Sequence, residues 1–127
     1  MKVAYTDSSS LVAIRFDEAG GRTMAKRLGR LDRIYSCNLL EAEFFSALAR
    51  EGVESDNGLL DRLTWILPTR RLGPEIARVL RAGYLRGPDL WHLATALYLA
   101  EDPAELPFLP LDARQAGVAR ALGFPTD

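Results

Sequence analysis

The chain has 127 residues, 48% of them apolar and 26% charged, and its formal net charge is −1. That balance describes a folded globular chain long enough for a core, and it excludes disordered and collagen-like classes. No run approaches the ~20 apolar residues of a membrane-spanning helix, and the lone Cys37 excludes an internal disulfide framework or a cysteine zinc cluster.

Apolar runs of strand length alternate with helical patterns along the chain. Residues 2–6 predict a first strand, which stops at Thr6-Asp7-Ser8-Ser9-Ser10, and a helix follows from 8 to 16. Gly20-Gly21 breaks that helix, and 23–32 reads as a second short one. The segment 33–37, RIYSC, is a second strand, followed by a well-patterned helix over 39–49 and another over 57–63. WILPT, 65–69, predicts a third strand. Pro74 opens a helix to 82, and Gly87-Pro88 opens a longer one through 101, with proline at a tolerated first-turn position. LPFLPLD, 106–112, predicts a fourth strand, 113–123 a final helix, and 124–125 the stub of a fifth strand.

Strands separated by helices argue for an α/β fold with a short, mostly parallel central sheet covered on both faces. No repeat or linker divides the chain, so one domain over 1–127 is expected. The N-terminal apolar run is shorter than a signal-peptide core, and a cytoplasmic protein with no membrane association is the simplest expectation.

In open sheets of this kind, ligands bind beyond the carboxyl ends of the strands. Acids stand at those places. Asp7 ends the first strand, Asp112 the fourth, Asp89 lies in the first turn of the helix opened by Pro88, and Glu41 and Glu43 lie early in the helix over 39–49. Singly, Asp7 and Asp112 read as helix caps and Asp89 as a complement to its helix dipole. Together they would gather like charges at one sheet edge, where carboxylates raise each other's pKa unless a cation neutralises them. Oxygen ligands without a His or Cys cluster select a hard ion such as Mg²⁺ or Mn²⁺, which serves phosphate chemistry. Glu41 and Glu43 flank the buried stripe of their helix on opposite sides, and periodicity does not choose between them.

The charge is strongly segmented. Residues 15–33 carry six basic and three acidic side chains, and 62–86 six basic and one acidic, whereas 34–61 and 87–127 sum to −5 and −4. Fourteen of the 16 basic residues are arginine, the side chain suited to bidentate phosphate contact.

Four segments, YTDSSSLV, LLEAEFFSAL, PDLWHLATAL and PLDARQAGVARALGF, carry a resemblance to a family. In their order and spacing the chain resembles the PIN-domain ribonucleases, most closely the VapC-like toxins of bacterial toxin–antitoxin pairs. The resemblance implies a three-layer α/β/α sandwich and an Mg²⁺- or Mn²⁺-dependent endoribonuclease with four acids, Asp7, Glu43, Asp89 and Asp112. Glu43 is matched rather than Glu41 because the family's glutamate stands four residues before an Ala-Leu pair, here Ala47-Leu48. It implies Asp7 and Asp89 as direct metal ligands, Ser8 or Ser9 as a hydrogen-bond support, and Arg114 as either a phosphate contact or a solvated side chain. It implies an RNA substrate, a cognate antitoxin and a homodimer. His92, three residues after Asp89, is matched as a packing or supporting residue rather than a catalytic one.

Two other classes compete. A phosphoacceptor receiver domain also places aspartates at strand ends, but it needs an acidic pair beside Asp7 and a lysine near the last strand. The only lysines are Lys2 and Lys26. A catalytically silent PIN-fold binding module is the nearer rival, and it would be expected to have lost one of the four acids.

Overall fold

The computed structural model describes residues 1–127 and has a four-stranded, all-parallel sheet with helices on both faces, a three-layer α/β/α arrangement. The strands are β1 (Val3–Thr6), β2 (Arg33–Cys37), β3 (Leu63–Ile66) and β4 (Phe108–Leu109), in the spatial order β3-β2-β1-β4. The helices are α1 (Ser8–Arg15), α2 (Gly21–Gly29), α3 (Leu39–Arg50), α4 (Gly73–Ala82), α5 (Gly87–Leu99) and α6 (Ala113–Ala121).

Two-residue alternation along the strands sorts the core into two halves. Ala4, Ile34, Leu63 and Leu109 face α1, α2 and α3, packing against Leu11, Leu28, Leu40, Phe44 and Leu48. Tyr5 and Phe108 face α4, α5 and α6, packing against Val79, Leu93, Ala96, Val118 and Phe124. The Tyr5 and Phe108 rings stack with centroids 5.3 Å apart. The chain lays down β1, β2 and β3 outward and then returns to place β4 on the other side of β1. This reversal opens a crevice beyond the carboxyl ends of β1 and β4, because α1 leaves towards one face and α6 towards the other.

Several predicted boundaries shift for identifiable reasons. The helix expected over 57–63 shrinks to a 3₁₀ turn at Leu59–Arg62, since Asn57 and Gly58 both take left-handed backbone (φ 54° and 75°) and cannot start a helix. The third strand lies earlier than 65–69, pairing Ile34 with Leu63 and Cys37 with Ile66. The fourth strand has two residues rather than seven, because Pro107 and Pro110 on either side lack the N–H a ladder requires. No fifth strand forms at 124–125; instead the Pro125 carbonyl accepts a single 2.7 Å hydrogen bond from Phe108 N. The second helix ends at Gly29, and Asp32 leaves it to accept from Lys2 N through Oδ2 while its own N–H donates to the Lys2 carbonyl.

The α1–α2 contact depends on one missing side chain. A Cβ on Gly21 would lie 2.5 Å from the Ala13 carbonyl oxygen, a backbone atom that cannot swing aside. Gly21→Ala is therefore expected to lower stability by about 1–3 kcal/mol, the usual range for overpacking. Urea unfolding checks it; a wild-type midpoint would show that the two helices can separate freely.

Candidate active site

Asp7 follows the last residue of the central strand β1 and occupies the N-cap position of α1 in extended backbone, yet its side chain caps nothing. Instead Ser9 Oγ donates to Asp7 Oδ1 at 2.7 Å, and Ser9 Oγ in turn accepts from Leu111 N at 3.2 Å. Of the two serines in question, Ser9 thus ties Asp7 to the loop between β4 and α6. Ser10 Oγ adds a 2.7 Å bond to the Leu109 carbonyl, pinning α1 to the end of β4.

Asp7 is only 3% exposed. Burial pushes its pKa from 3.8 up to about 6; the Ser9 bond and the nearby His92 hold it back, while the charges of Asp89 and Glu43 add to the rise. Asp89 is half-buried in the first turn of α5 and is also raised, by burial and then by Asp112, with Glu43 adding to the rise and Arg86 and His92 opposing it. Asp7 therefore feels the charges of Asp89 and Glu43, and Asp89 those of Glu43 and Asp112.

Asp112 differs from Asp7. It is exposed, and both of its oxygens cap α6, accepting from Arg114 N (3.3 Å) and Gln115 N (3.2 Å). Its cap is real, and its charge still reaches Asp89. The Arg114 side chain is exposed. Gln115 is fully buried and donates from Nε2 to the Asp89 carbonyl at 3.3 Å, so it links the two acid-bearing helix starts, α5 and α6.

Glu43 and Glu41 part ways on α3. Glu41 is exposed. Glu43 is half-buried, accepts from His92 Nε2 at 2.7 Å, and acts on both Asp7 and Asp89. His92 sits in the second turn of α5, 1% exposed, with Nδ1 3.0 Å from the Tyr5 hydroxyl and 3.5 Å from Cys37 Sγ. Burial works to lower its pKa, but the bonds to Cys37 and Glu43 and the nearby Asp7 charge outweigh that and push it up to about 10. The ties of Ser9, Gln115 and His92 need three-dimensional proximity between distant segments. Ser9 was one of two serines the resemblance offered, and the sequence signal for His92 is the chain's single imidazole three residues after Asp89; nothing in residue order marks Gln115.

The donor set is all carboxylate oxygen, which suits a hard divalent cation. No three or more His, Cys, Asp or Glu side chains form a ready-made metal nest. Mg²⁺ does not require one, since it keeps several waters and is commonly held by one or two carboxylates. Asp7 and Asp89, deprotonation-averse on their own, are the pair whose electrostatics a cation would relieve.

The arginines of 62–86 are not all free. Arg62 is spent on the end of α2, donating to the Leu28 and Leu31 carbonyls at 3.0 Å each. Arg70 forms a forked pair with Glu75 and lies 5.2 Å over the Tyr98 ring. Arg71, Arg78, Arg81 and Arg86 remain exposed.

No helix is long and apolar enough to cross a membrane. A search of curated proteins finds no match. The profile of the PIN domain matches residues 4–102, a span that begins in β1 and takes in Asp7, Glu43 and Asp89 but stops before β4 and Asp112. With that span covering most of the chain, and with an all-parallel α/β/α sandwich whose strand ends carry the acids, the chain belongs to the PIN-domain family, a fold of nuclease type.

Proposed function

We propose that this protein is a metal-dependent endoribonuclease hydrolysing RNA phosphodiester bonds at Asp7, Glu43, Asp89 and Asp112, and that it is the toxin of a toxin–antitoxin pair. Asp7 carries the reading: a carboxylate at the end of the central strand, not used as a cap, and pushed up by burial first and then by two further acids. An ionised carboxylate in that setting is unfavourable unless a cation joins it. Asp7 and Asp89 would hold Mg²⁺ or Mn²⁺, which supplies charge neutralisation at a phosphoryl oxygen and a more acidic water. Ser9 holds the Asp7 carboxylate in one rotamer. Glu43 has one oxygen on His92 and the other left to accept a proton from an attacking water. Asp112 adds negative potential beside Asp89 while holding the start of α6.

RNA would approach over the exposed arginines, with the backbone phosphates supplying most of the affinity. Arg71 and Arg86, the latter close enough to act on Asp89, are the rim residues that support this path, whereas Arg70 is neutralised by Glu75. Replacing Arg71 and Arg86 with Ala is expected to lower the salt slope of log affinity for single-stranded RNA by about 1.4, at roughly 0.7 per phosphate contact. Arg70→Ala should leave the slope unchanged. Anisotropy titrations on an Asp7→Asn background measure both; a loss confined to Arg70→Ala would place the path at Arg70 and the Tyr98 ring beneath it instead of at Arg71 and Arg86.

An antitoxin partner, a homodimer and a cytoplasmic location belong to the same reading. The exposed Leu80 and Tyr84 near the end of α4, and Phe45 on α3, are apolar surface that such partners would cover. The deciding experiment maps new 5′ ends in total cellular RNA treated with the protein in Mg²⁺, in Mn²⁺ and in EDTA. Discrete metal-dependent ends support the nuclease. RNA retention without any new ends in either metal would replace it with the silent binding module.

A further inference from the structure

His92 is built into the molecule more tightly than a packing residue requires. Its ring is 1% exposed, and both nitrogens have partners on three different elements: Glu43 on α3, Tyr5 on β1 and Cys37 at the end of β2. Tyr5 is itself immobilised, since its ring stacks on Phe108 and meets the imidazole edge-on at 5.9 Å and 74°. An apolar side chain would fill the same volume with no polar group to satisfy. The polar choice has a directional result. A carboxylate only accepts, so Nε2 must carry its proton towards Glu43 in either charge state of the ring. Nδ1 then accepts from the Tyr5 hydroxyl when the ring is neutral, and donates to it when the ring is charged.

Glu43 needs that constraint. It projects from the first turns of α3 into a half-open crevice, and a long, flexible glutamate gives up rotamer freedom when it is fixed. The 2.7 Å bond through Oε1 fixes the side chain and leaves Oε2 free. We propose that His92, anchored by Tyr5 and Cys37, is a positioning residue that holds the Glu43 carboxylate in the one orientation useful to the acids of the crevice. The proposal rests on the nuclease reading for its catalytic consequence and on the hydrogen-bond geometry alone for the orientation itself.

The test compares His92→Leu, which keeps apolar volume and removes the donor, with His92→Gln, whose amide can still donate to Glu43. His92→Leu should lower kcat about 10–100-fold, the usual effect of losing a group that orients a metal-site carboxylate, with KM changed less than about twofold because RNA contacts stay intact. His92→Gln should recover most of the rate. In a Glu43→Gln background, His92→Leu should cost nothing further, because the two residues act as one unit. Equal losses in Leu and Gln variants, or a full additional loss in the double variant, would overturn the proposal in favour of packing alone. Side-chain NMR of ¹³C-labelled glutamate gives a readout independent of turnover. Glu43 couplings should be those of one rotamer in the wild type and in His92→Gln, and averaged in His92→Leu. Averaged couplings in the wild type would overturn the positioning role; single-rotamer couplings in a protein that cuts no RNA would overturn the nuclease reading and leave the positioning role standing.

Discussion

Asp7→Asn is expected to make the metal-free protein more stable and RNA cleavage at least about 10³-fold slower, the latter equivalent to about 4 kcal/mol of lost transition-state stabilisation. The stability gain follows from the raised carboxyl. The rise from 3.8 to about 6 corresponds to about 3 kcal/mol, at about 1.4 kcal/mol per pKa unit, as an upper figure. Its sign is fixed by the direction of the rise. Below pH 3.8 Asp7 is protonated in both folded and unfolded chains and contributes nothing. Between 3.8 and about 6 the unfolded chain ionises first, so stability falls, and above about 6 the penalty is constant. Asparagine keeps an oxygen for Ser9 and removes the charge, so the variant should exceed the wild type at pH 7–8 and converge with it below pH 4. Urea unfolding in EDTA measures this. Adding Mg²⁺ at about 100 times its dissociation constant should stabilise the wild type by about 2.7 kcal/mol and the variant by much less. Equal stabilisation of both would place the cation elsewhere. A wild-type cleavage rate in the variant would remove Asp7 from the chemistry.

Glu43→Gln should reduce cleavage on the order of 10²–10⁴-fold, the range for a positioned proton acceptor, and Glu41→Gln should leave it unchanged. The two glutamates lie two positions apart on α3, so one turns into the crevice and the other towards solvent. Glu43 meets His92 and influences Asp7 and Asp89, whereas Glu41 is exposed. Glutamine at position 43 can still accept from His92 Nε2, so the fold should survive and the loss should appear in kcat. Single-turnover assays at saturating RNA separate the two. A loss confined to Glu41→Gln would mean that α3 is rotated by about half a turn from the described packing.

The alternation of apolar runs with helical stripes was enough to read the parallel sheet and its two helical layers, because strand and helix periodicities survive in a single sequence. RIYSC could be placed as a strand over 33–37 with the same bounds that β2 shows, since the β-forming pair Ile34-Tyr35 lies between polar segments that end a helix and begin the next. Boundaries governed by backbone sign or a missing N–H were less legible. Asn57 and Gly58 in left-handed backbone abolished the start of a predicted helix, and two prolines trimmed the fourth strand to Phe108–Leu109. Acids at strand ends were visible from residue order alone. Their division of labour was not. Asp7 and Asp112 occupy the same local position, the residue before a helix, and their sequence contexts predict the same cap. Only the tertiary structure separates them: Asp7 lies at the buried end of a central strand, where Ser9 claims its carboxylate, while Asp112 lies on an exposed loop, where nothing competes with its own helix. Likewise, residue order could not pair His92 with Glu43, 49 positions away, or tie Arg70 to Glu75 and Tyr98. Sequence determined which ionisable side chains stand around the ends of the strands; long-range packing decided which of them are buried, paired or free, because burial and hydrogen-bond competition are properties of neighbours that the chain brings together only on folding.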